Sequence, residues 1–469
     1  MAVQIALEEL ERALPQGRIE RGEEIRRAHA HDYWAFEAIH DVGGNPTTPP
    51  PAVVFPESTD EVAKILTIAN EQRCPVVPFG LGSGVCGGVR PGGEALVVDL
   101  SRMARVLEVN DQAATARLQA GLNGAACERL LNERGYTLGH FPQSIAVSSV
   151  GGWVATRASG QLSTRYGNIE DLLLALEVVL PGGRVLRTFP APRAATGPDL
   201  RQIFLGSEGT LGIVTEITVK LSPKPEHQDG FAVRLPTWED GIEVTRELLR
   251  AGWRPAILRL YDGVEAQRNF SAWFPDQAPL LLVMSEGTNE MQGALELEIA
   301  AARAACLRRG GTDLGREPLD KWLGHRNHVP SWADLLGNGL VVDTIEVAAT
   351  WDRVGPLHAR VTEAIGAVPG VLVASGHTSH AYTTGVNIYF TFVGQATEEA
   401  EQERIYTGAW AAAMEATMAC GATIAHHHGI GRVRRDYLPR ELGEVGIDVL
   451  RAVKRAVDPN GIMNPGVLL

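Results

Sequence analysis

Lysine, cysteine and long apolar runs are the scarce features of this 469-residue chain. Five lysines stand against 38 arginines, a skew with no functional reading of its own. The five cysteines, Cys74, Cys86, Cys127, Cys306 and Cys420, are odd in number, far apart and never spaced as a CxxC. Neither a disulfide framework nor a thiolate zinc site is indicated. No run approaches the roughly 18 to 20 apolar residues that span a bilayer, and the first residues lack the basic-then-apolar order of a secretory signal. Positive charge is also short: 43 Lys plus Arg against 56 Asp plus Glu leave a net charge of −13, which repels a polyphosphate, so nucleic acid is not an expected partner. The expectation is a soluble, cytoplasmic protein with no transmembrane segment.

What is present is ordinary globular material. Hydrophobic residues at 45% and charged residues at 21% exclude general disorder, and the length predicts two or three domains. Glycine and proline concentrate before about residue 225, where short apolar runs alternate with turn signals. Residues 52–57, 76–79, 95–100, 106–109, 172–180, 185–187 and 212–221 read as strands, and Ser58 caps a helix whose apolar face is Val62, Ile65, Leu66 and Ala69. Gly124 to Gly135 reads as a further helix ending at glycine. After Ser222-Pro223-Lys224-Pro225 the texture changes to longer amphipathic helices (238–251, 290–309, 397–420) between strands at 257–261, 279–285, 340–347, 371–375 and 386–393. The proline pair is the boundary.

Three glycine-rich segments carry chemistry. Pro78-Phe79-Gly80-Leu81-Gly82-Ser83-Gly84 follows a strand directly and lets consecutive backbone N–H groups turn inward to cradle phosphate oxygens. It is neither a Walker loop nor a GxGxxG followed by a helix. Pro142-Gln143-Ser144-Ile145-Ala146-Val147-Ser148, continuing through Ala155-Thr156-Arg157-Ala158, is small and hydroxyl-rich, suited to lining a flat polar ring. Glu208-Gly209-Thr210-Leu211-Gly212-Ile213-Val214 makes a tight bend before a strand. Together these resemble the vanillyl-alcohol-oxidase (PCMH) type of FAD-binding domain, which implies an α+β fold with an α/β cap domain and FAD contacts along all four stretches.

Within that superfamily the chain most resembles the alkyldihydroxyacetonephosphate synthase family, from about residue 50 onward. The likeness is densest in Val150 to Gly160, Tyr166-Gly-Asn-Ile-Glu-Asp171, Thr196-Gly-Pro-Asp199 and the final fifty residues. It implies non-covalently held FAD and exchange of an acyl group of acyl-dihydroxyacetone phosphate for a fatty alcohol, through an adduct at the flavin with no net redox. The substrate is then small or lipid-like, a homodimer is expected, and peripheral membrane contact is left open.

His426-His427-His428-Gly429-Ile430-Gly431-Arg432 lies inside the chain after an apolar segment, and imidazoles suit proton transfer near neutral pH. Neighbours in a strand or turn point in different directions, so at most two of the three can face one substrate. The resemblance makes this run catalytic, together with Tyr389 and Arg259, an arginine placed near flavin and substrate. Where the synthases carry a substrate-binding arginine this chain has His377, in a Gly-His pair resembling FAD-linked 2-hydroxy-acid dehydrogenases. In those a His at 377, a His at 389 and a Glu at 427 bind a divalent metal. One of those three ligand types is present, so no metal site is expected. The flavin domain is expected at 1–225 with a return at 436–469, and the cap at 226–435. An FAD-linked dehydrogenase or oxidase acting on a hydroxylated small molecule is the alternative activity.

Overall fold

A computed structural model describes residues 2–469. Three sheets organise the first half and the C-terminal return. The strands Ile19–Glu20, Val53–Val54, Leu96–Asp99 and Val76–Phe79 lie in that order, the last three mutually parallel. A five-stranded antiparallel sheet follows the order Val106–Asn110, Thr115–Gln119, Ile213–Lys220, Leu173–Val179, Val185–Arg187. A two-stranded ribbon pairs Ser222–Pro223 with Tyr136–Thr137. Local chemistry explains several elements. Ser58 Oγ accepts from the Glu61 N–H at the start of the helix Thr59–Glu71, whose Val62, Ile65, Leu66 and Ala69 are buried, satisfying one of the orphan donors of the first turn. The sequence stretch 150–156, within the segment expected to line a flat polar ring, is a helix capped by Ser149 Oγ on the Gly152 N–H. Small residues let it pack closely: a Cβ on Gly151 would sit 2.5 Å from that of Ala120.

The second half is one seven-stranded antiparallel sheet in the order Thr312–Gly315, His227–Arg234, Leu280–Gly287, Ile257–Tyr261, Val371–Thr378, Gly385–Gln395, Leu340–Thr350. The helices Trp238–Arg250, Gln292–Arg308, Val354–Gly366 and Glu399–Ala419 bury their apolar faces in the core of this half. The N-terminal helix Ala35–Gly43 joins this second core through Trp34, Ala35 and Ile39. Burying Ile39 completely contributes about 1.5–3 kcal/mol, so the N-terminal segment is fastened to both layers. The chain then returns: Val76 N–H donates to Ile462 C=O and Asn464 N–H to Val76 C=O, so the last residues extend the sheet beside the strand that launches the glycine loop. No helix among the described residues is long and apolar enough to cross a membrane.

Candidate active site

The glycine loop leaves its backbone donors free for an anion. Among the described residues, no backbone N–H from Leu81 to Gly87 has an acceptor in the protein, whereas those of Gly88 and Val89 both give to Asp32 Oδ2 at 2.7 and 3.3 Å. A run of free amides in a left- and right-turning loop favours an anion. A Cβ on Gly80 would lie 2.4 Å from Ser149 Oγ, so only glycine lets this loop meet the cap of the helix Val150–Thr156. These features fit the pyrophosphate of FAD. Pro142 to Ser148 runs past that helix start, with Pro142, Ile145 and Ser148 buried and Gln143, Ala146 and Val147 exposed.

The remaining flavin candidates divide. Ala155 and Thr156 are partly buried on the last turn of the helix and Ala158 is buried. Arg157, at its left-handed C-cap (φ 60°), turns its guanidinium outward to Gln202 and Glu170. Leu211, Ile213 and Val214 put their side chains into the first core, leaving only backbone for a ligand. Gly209, Thr210 and Gly212 form the bend between them. The Glu208 carboxylate, expected at the flavin, instead accepts from the N–H groups of Ile430 and Gly431 at 2.7 and 2.8 Å. It is a clasp between the flavin half and the histidine loop. Burial pushes it, like Asp32 nearby, up to about 7.

Residues 426–431 form a turn organised by a second buried carboxylate. Glu346, on the edge strand Leu340–Thr350, accepts the backbone N–H groups of His426, His427 and His428 at 2.5, 3.1 and 2.9 Å, and Arg434 Nη2 at 3.1 Å. Arg434 is itself fully buried, donating also to Gly429 C=O and Cys86 Sγ and lying over the Trp410 ring. Gly431 is obligatory here: its φ is +55° and a Cβ would fall 2.0 Å from Cys86 C=O. With three consecutive amides drawn to one carboxylate, the three imidazoles fan out beside it, the Nδ1 atoms of His427 and His428 lying 3.7 and 3.8 Å from Glu346 oxygens, and reach toward Tyr389.

Tyr389 faces this fan from the neighbouring strand Gly385–Gln395. Its hydroxyl lies 2.6 Å from His427 Nε2, and its ring centroid is 5.7 Å from that of His428. His427 Nδ1 meets His426 Nδ1 at 2.7 Å, and His426 Nε2 meets the Tyr382 hydroxyl at 2.7 Å. All three histidines are thus gathered at one place. Burial pushes His426 down to about 4, His428 down to about 3, and His427 well below the usual imidazole range, while it raises the Tyr389 phenol. The cluster is a set of neutral proton carriers.

His377, expected to contact substrate, has both ring nitrogens engaged: Nδ1 lies 2.9 Å from Glu265 Oε1 and Nε2 lies 2.6 Å from Arg259 Nη2. Arg259 being a donor only, Nε2 must accept, so the Nδ1–H is given to Glu265. The imidazole is neutral and holds Arg259 in place instead of reading an anion itself. Arg259 also donates Nε to the Tyr261 hydroxyl at 2.7 Å and lies 5.4 Å from the Trp322 ring centroid. On the same indole, 5.9 Å away, lies Arg326, which also covers Phe141 and donates to Gln161. Among the described residues neither arginine forms an ion pair with a carboxylate. A chain of contacts therefore runs from Tyr389, stacked 4.8 Å from His377, through Arg259, Trp322 and Arg326 to Phe141, beside the expected flavin segment.

Nothing in the sequence marked Glu346, Arg434, Glu265 or Arg326, because each acts across 80 or more positions. A ligand atom from each of Glu346, His426 and His427 lies within 4.8 Å of the others. The Glu346 carboxylate already accepts four hydrogen bonds, however, which occupies the lone pairs a cation would need.

The family model of the FAD binding domain matches residues 50–188, and that of the C-terminal domain of FAD linked oxidases matches 224–468. The chain is 32% identical to the alkyldihydroxyacetonephosphate synthase of Caenorhabditis elegans over 93% of its length and 79% of the relative. It is 33% identical to an uncharacterized FAD-linked oxidoreductase of Escherichia coli (strain K12) over 92% of both. Among solved structures an alkyldihydroxyacetonephosphate synthase superposes with a TM-score of 0.81 at 25% identity, covering 98% of this chain and 84% of that one. Substrate-bound p-cresol methylhydroxylase, at 17% identity, superposes with a TM-score of 0.78 over 99% and 96% of the two chains and shares the fold.

Proposed function

The chain belongs to the FAD-linked oxidase family, with FAD as its cofactor and a PCMH-type FAD-binding fold, and from that footing we propose that it exchanges the acyl group of an acyl-dihydroxyacetone phosphate for a fatty alcohol, as the synthases it resembles are named for. The observation that carries this reading is the Tyr389 hydroxyl held on neutral His427 and linked, through His377, to two guanidinium groups, Arg259 and Arg326, that share Trp322 and form no direct ion pair with a carboxylate among the described residues. Two cations suit a phosphate dianion, each charge-assisted contact being worth about 1.5–3 kcal/mol. A phenol backed by an imidazole suits removal of a proton beside a carbonyl.

When bound, FAD supplies an electrophilic ring against which the substrate is held. The chain's residues do the rest: Arg259 and Arg326 bind and orient the phosphate, His377 and Glu265 fix Arg259, and Tyr389 takes the proton with His427 behind it. The flavin is held non-covalently, so acid precipitation releases it into the supernatant. Residues 1–225 with 436–469 are assigned to the flavin domain and 226–435 to the cap over the substrate, with the helix Ala35–Gly43 packed into the core of the cap.

A second reading, oxidation of a hydroxylated acid, is favoured by one feature: His377 stands where the synthases place another arginine, which lowers the positive charge available to a dianion. Product analysis separates the two. Incubation with an acyl-dihydroxyacetone phosphate and a fatty alcohol yields the alkyl ether and a free fatty acid under the first reading. Absence of ether, with oxidation of a 2-hydroxy acid instead, establishes the second.

A further inference from the structure

We propose that Tyr382 is the outer station of a proton path that starts at Tyr389 and passes through His427 and His426, so that a proton taken at the reacting carbon leaves the site at Tyr382, beside the exposed Thr383 and Thr384. The inference rests on the reading above that Tyr389 meets the reacting atom. Its basis is an unbroken series of contacts: Tyr389 Oη to His427 Nε2 at 2.6 Å, His427 Nδ1 to His426 Nδ1 at 2.7 Å, His426 Nε2 to Tyr382 Oη at 2.7 Å. Tyr382 Oη then accepts from Asn168 Nδ2 at 3.0 Å and gives toward Asn168 Oδ1 at 3.4 Å. Asn168 is fixed in turn by Ser159 Oγ on Oδ1 at 2.7 Å. Tyr389 and Tyr382 are both half-buried, but Tyr389 lies between the buried Ile388 and Phe390, whereas Tyr382 is followed directly by the exposed Thr383 and Thr384.

The donors can all point one way. Tyr389 O–H gives to His427 Nε2, His427 Nδ1–H to His426 Nδ1, and His426 Nε2–H to Tyr382, with each imidazole neutral. In the transfer, Tyr389 oxygen receives the substrate proton as its own proton moves to His427 Nε2. The His427 Nδ1 proton passes to His426 Nδ1, the His426 Nε2 proton to Tyr382 oxygen, and the Tyr382 proton to water. The substrate carbon keeps the electron pair of the broken C–H bond. One proton leaves the substrate, one enters solvent, and the two imidazoles end in exchanged tautomers, with no electron transferred. Returning a proton to the substrate later in the exchange runs the path backward and resets both tautomers.

The surroundings explain why a path is needed instead of a single base. Burial disfavours imidazolium at both His426 and His427 and tyrosinate at Tyr389. A proton halted on any one of them would leave an isolated buried charge. Moving the protons together avoids that charge. His380, its Nδ1 held at 2.7 Å from Ser163 Oγ, stacks 5.2 Å from His426 and fixes the plane of the ring the path depends on.

Tyr382→Phe keeps the ring and deletes the relay oxygen. In the FAD-loaded enzyme it should lower kcat by roughly 10- to 100-fold, below the full effect of a direct acid/base group, with KM and flavin content little changed. The solvent deuterium isotope effect on kcat should rise above that of the unaltered enzyme, and added imidazole should restore part of the rate in a saturable way. His426→Gln breaks the same path one station inward and should show the same rise and rescue, which serves if Tyr382→Phe fails to fold. Undiminished turnover in both variants, or lost turnover with no isotope effect and no rescue, overturns the relay. Tyr389→Phe is the control for the underlying reading: if that variant is fully active the site assignment itself fails, whereas an inactive Tyr389→Phe beside a fully active Tyr382→Phe rejects the relay alone.

Discussion

The Tyr389 hydroxyl lies 2.6 Å from His427 Nε2, across 38 positions of sequence. The contact joins the strand Gly385–Gln395 to the turn that Glu346 and Arg434 hold in place, so a proton carrier and its acceptor come from elements fixed by different parts of the core. Tyr389→Phe removes only the hydroxyl. Turnover should fall by about a hundred to ten-thousandfold while FAD content and the unfolding midpoint stay near those of the unaltered protein. Steady-state kinetics beside flavin absorbance checks both halves of that statement.

The histidine cluster sets an unusual pH dependence. Because burial holds His426 down to about 4 and His427 well below the usual imidazole range, kcat/KM should show no histidine limb near 6.5, the ordinary imidazole value. Any acid limb from these groups should appear below about pH 5. In linkage terms the native state binds fewer protons here than the unfolded chain between about 6.5 and 4, so stability falls as pH drops through that window. A clear half-titration of kcat/KM near 6.5 that disappears in His427→Gln would show the imidazole to be accessible and ordinary.

Glu346 should be a structural keystone of the turn. Glu346→Ala leaves Arg434 buried without its partner and three amides without an acceptor, a loss of about 3–5 kcal/mol. Glu346→Gln keeps one oxygen and should cost less, about 1–3 kcal/mol. Urea unfolding of the two variants measures the order, and equal stability of Glu346→Ala and the parent would remove Glu346 from this role.

Much of the framework was legible because its signals are local. The Ser58 cap, the hairpin of Leu173–Val179 with Val185–Arg187, and the glycine loop after Val76–Phe79 all declare themselves within short contiguous stretches. The strand Thr115–Gln119 did not: it alternates over only five residues, with Ala116 and Leu118 as its sole apolar side chains, and its outward Arg117 meets Glu216 at 3.0 Å. Of the site, the residue types at 389 and 426–428 were readable, and their convergence follows from a register that pairs Tyr389 with both Glu346 and His377. The carboxylates that arrange them were not readable, since a glutamate in an apolar strand looks the same whether it faces solvent or three buried amides.

Glu208 gives the opposite pH sign to the histidines. Its carboxyl titrates near 4.5 when free and is raised by burial to about 7 in the fold. The native state therefore holds a proton that the unfolded chain has released, and stability falls as pH rises from about 4.5 to about 7, then levels. The full span corresponds to about 3 kcal/mol, shared with neighbouring Asp32. Glu208→Gln, whose one carbonyl oxygen keeps one of the two amides at 430 and 431, should flatten the loss between those pH values relative to the parent in thermal unfolding. An unchanged slope would mean Glu208 is ionised in the fold throughout.

The central claim, that this site removes a proton for group exchange without net oxidation, is tested most directly by the visible absorption of the flavin under anaerobic conditions. On addition of an acyl-dihydroxyacetone phosphate and a fatty alcohol in many-fold excess, the account predicts repeated turnover to the ether with the oxidised spectrum restored when substrate is exhausted. Lasting bleaching of the flavin by a substrate, reversed only when an electron acceptor is supplied and accompanied by no ether, would contradict it.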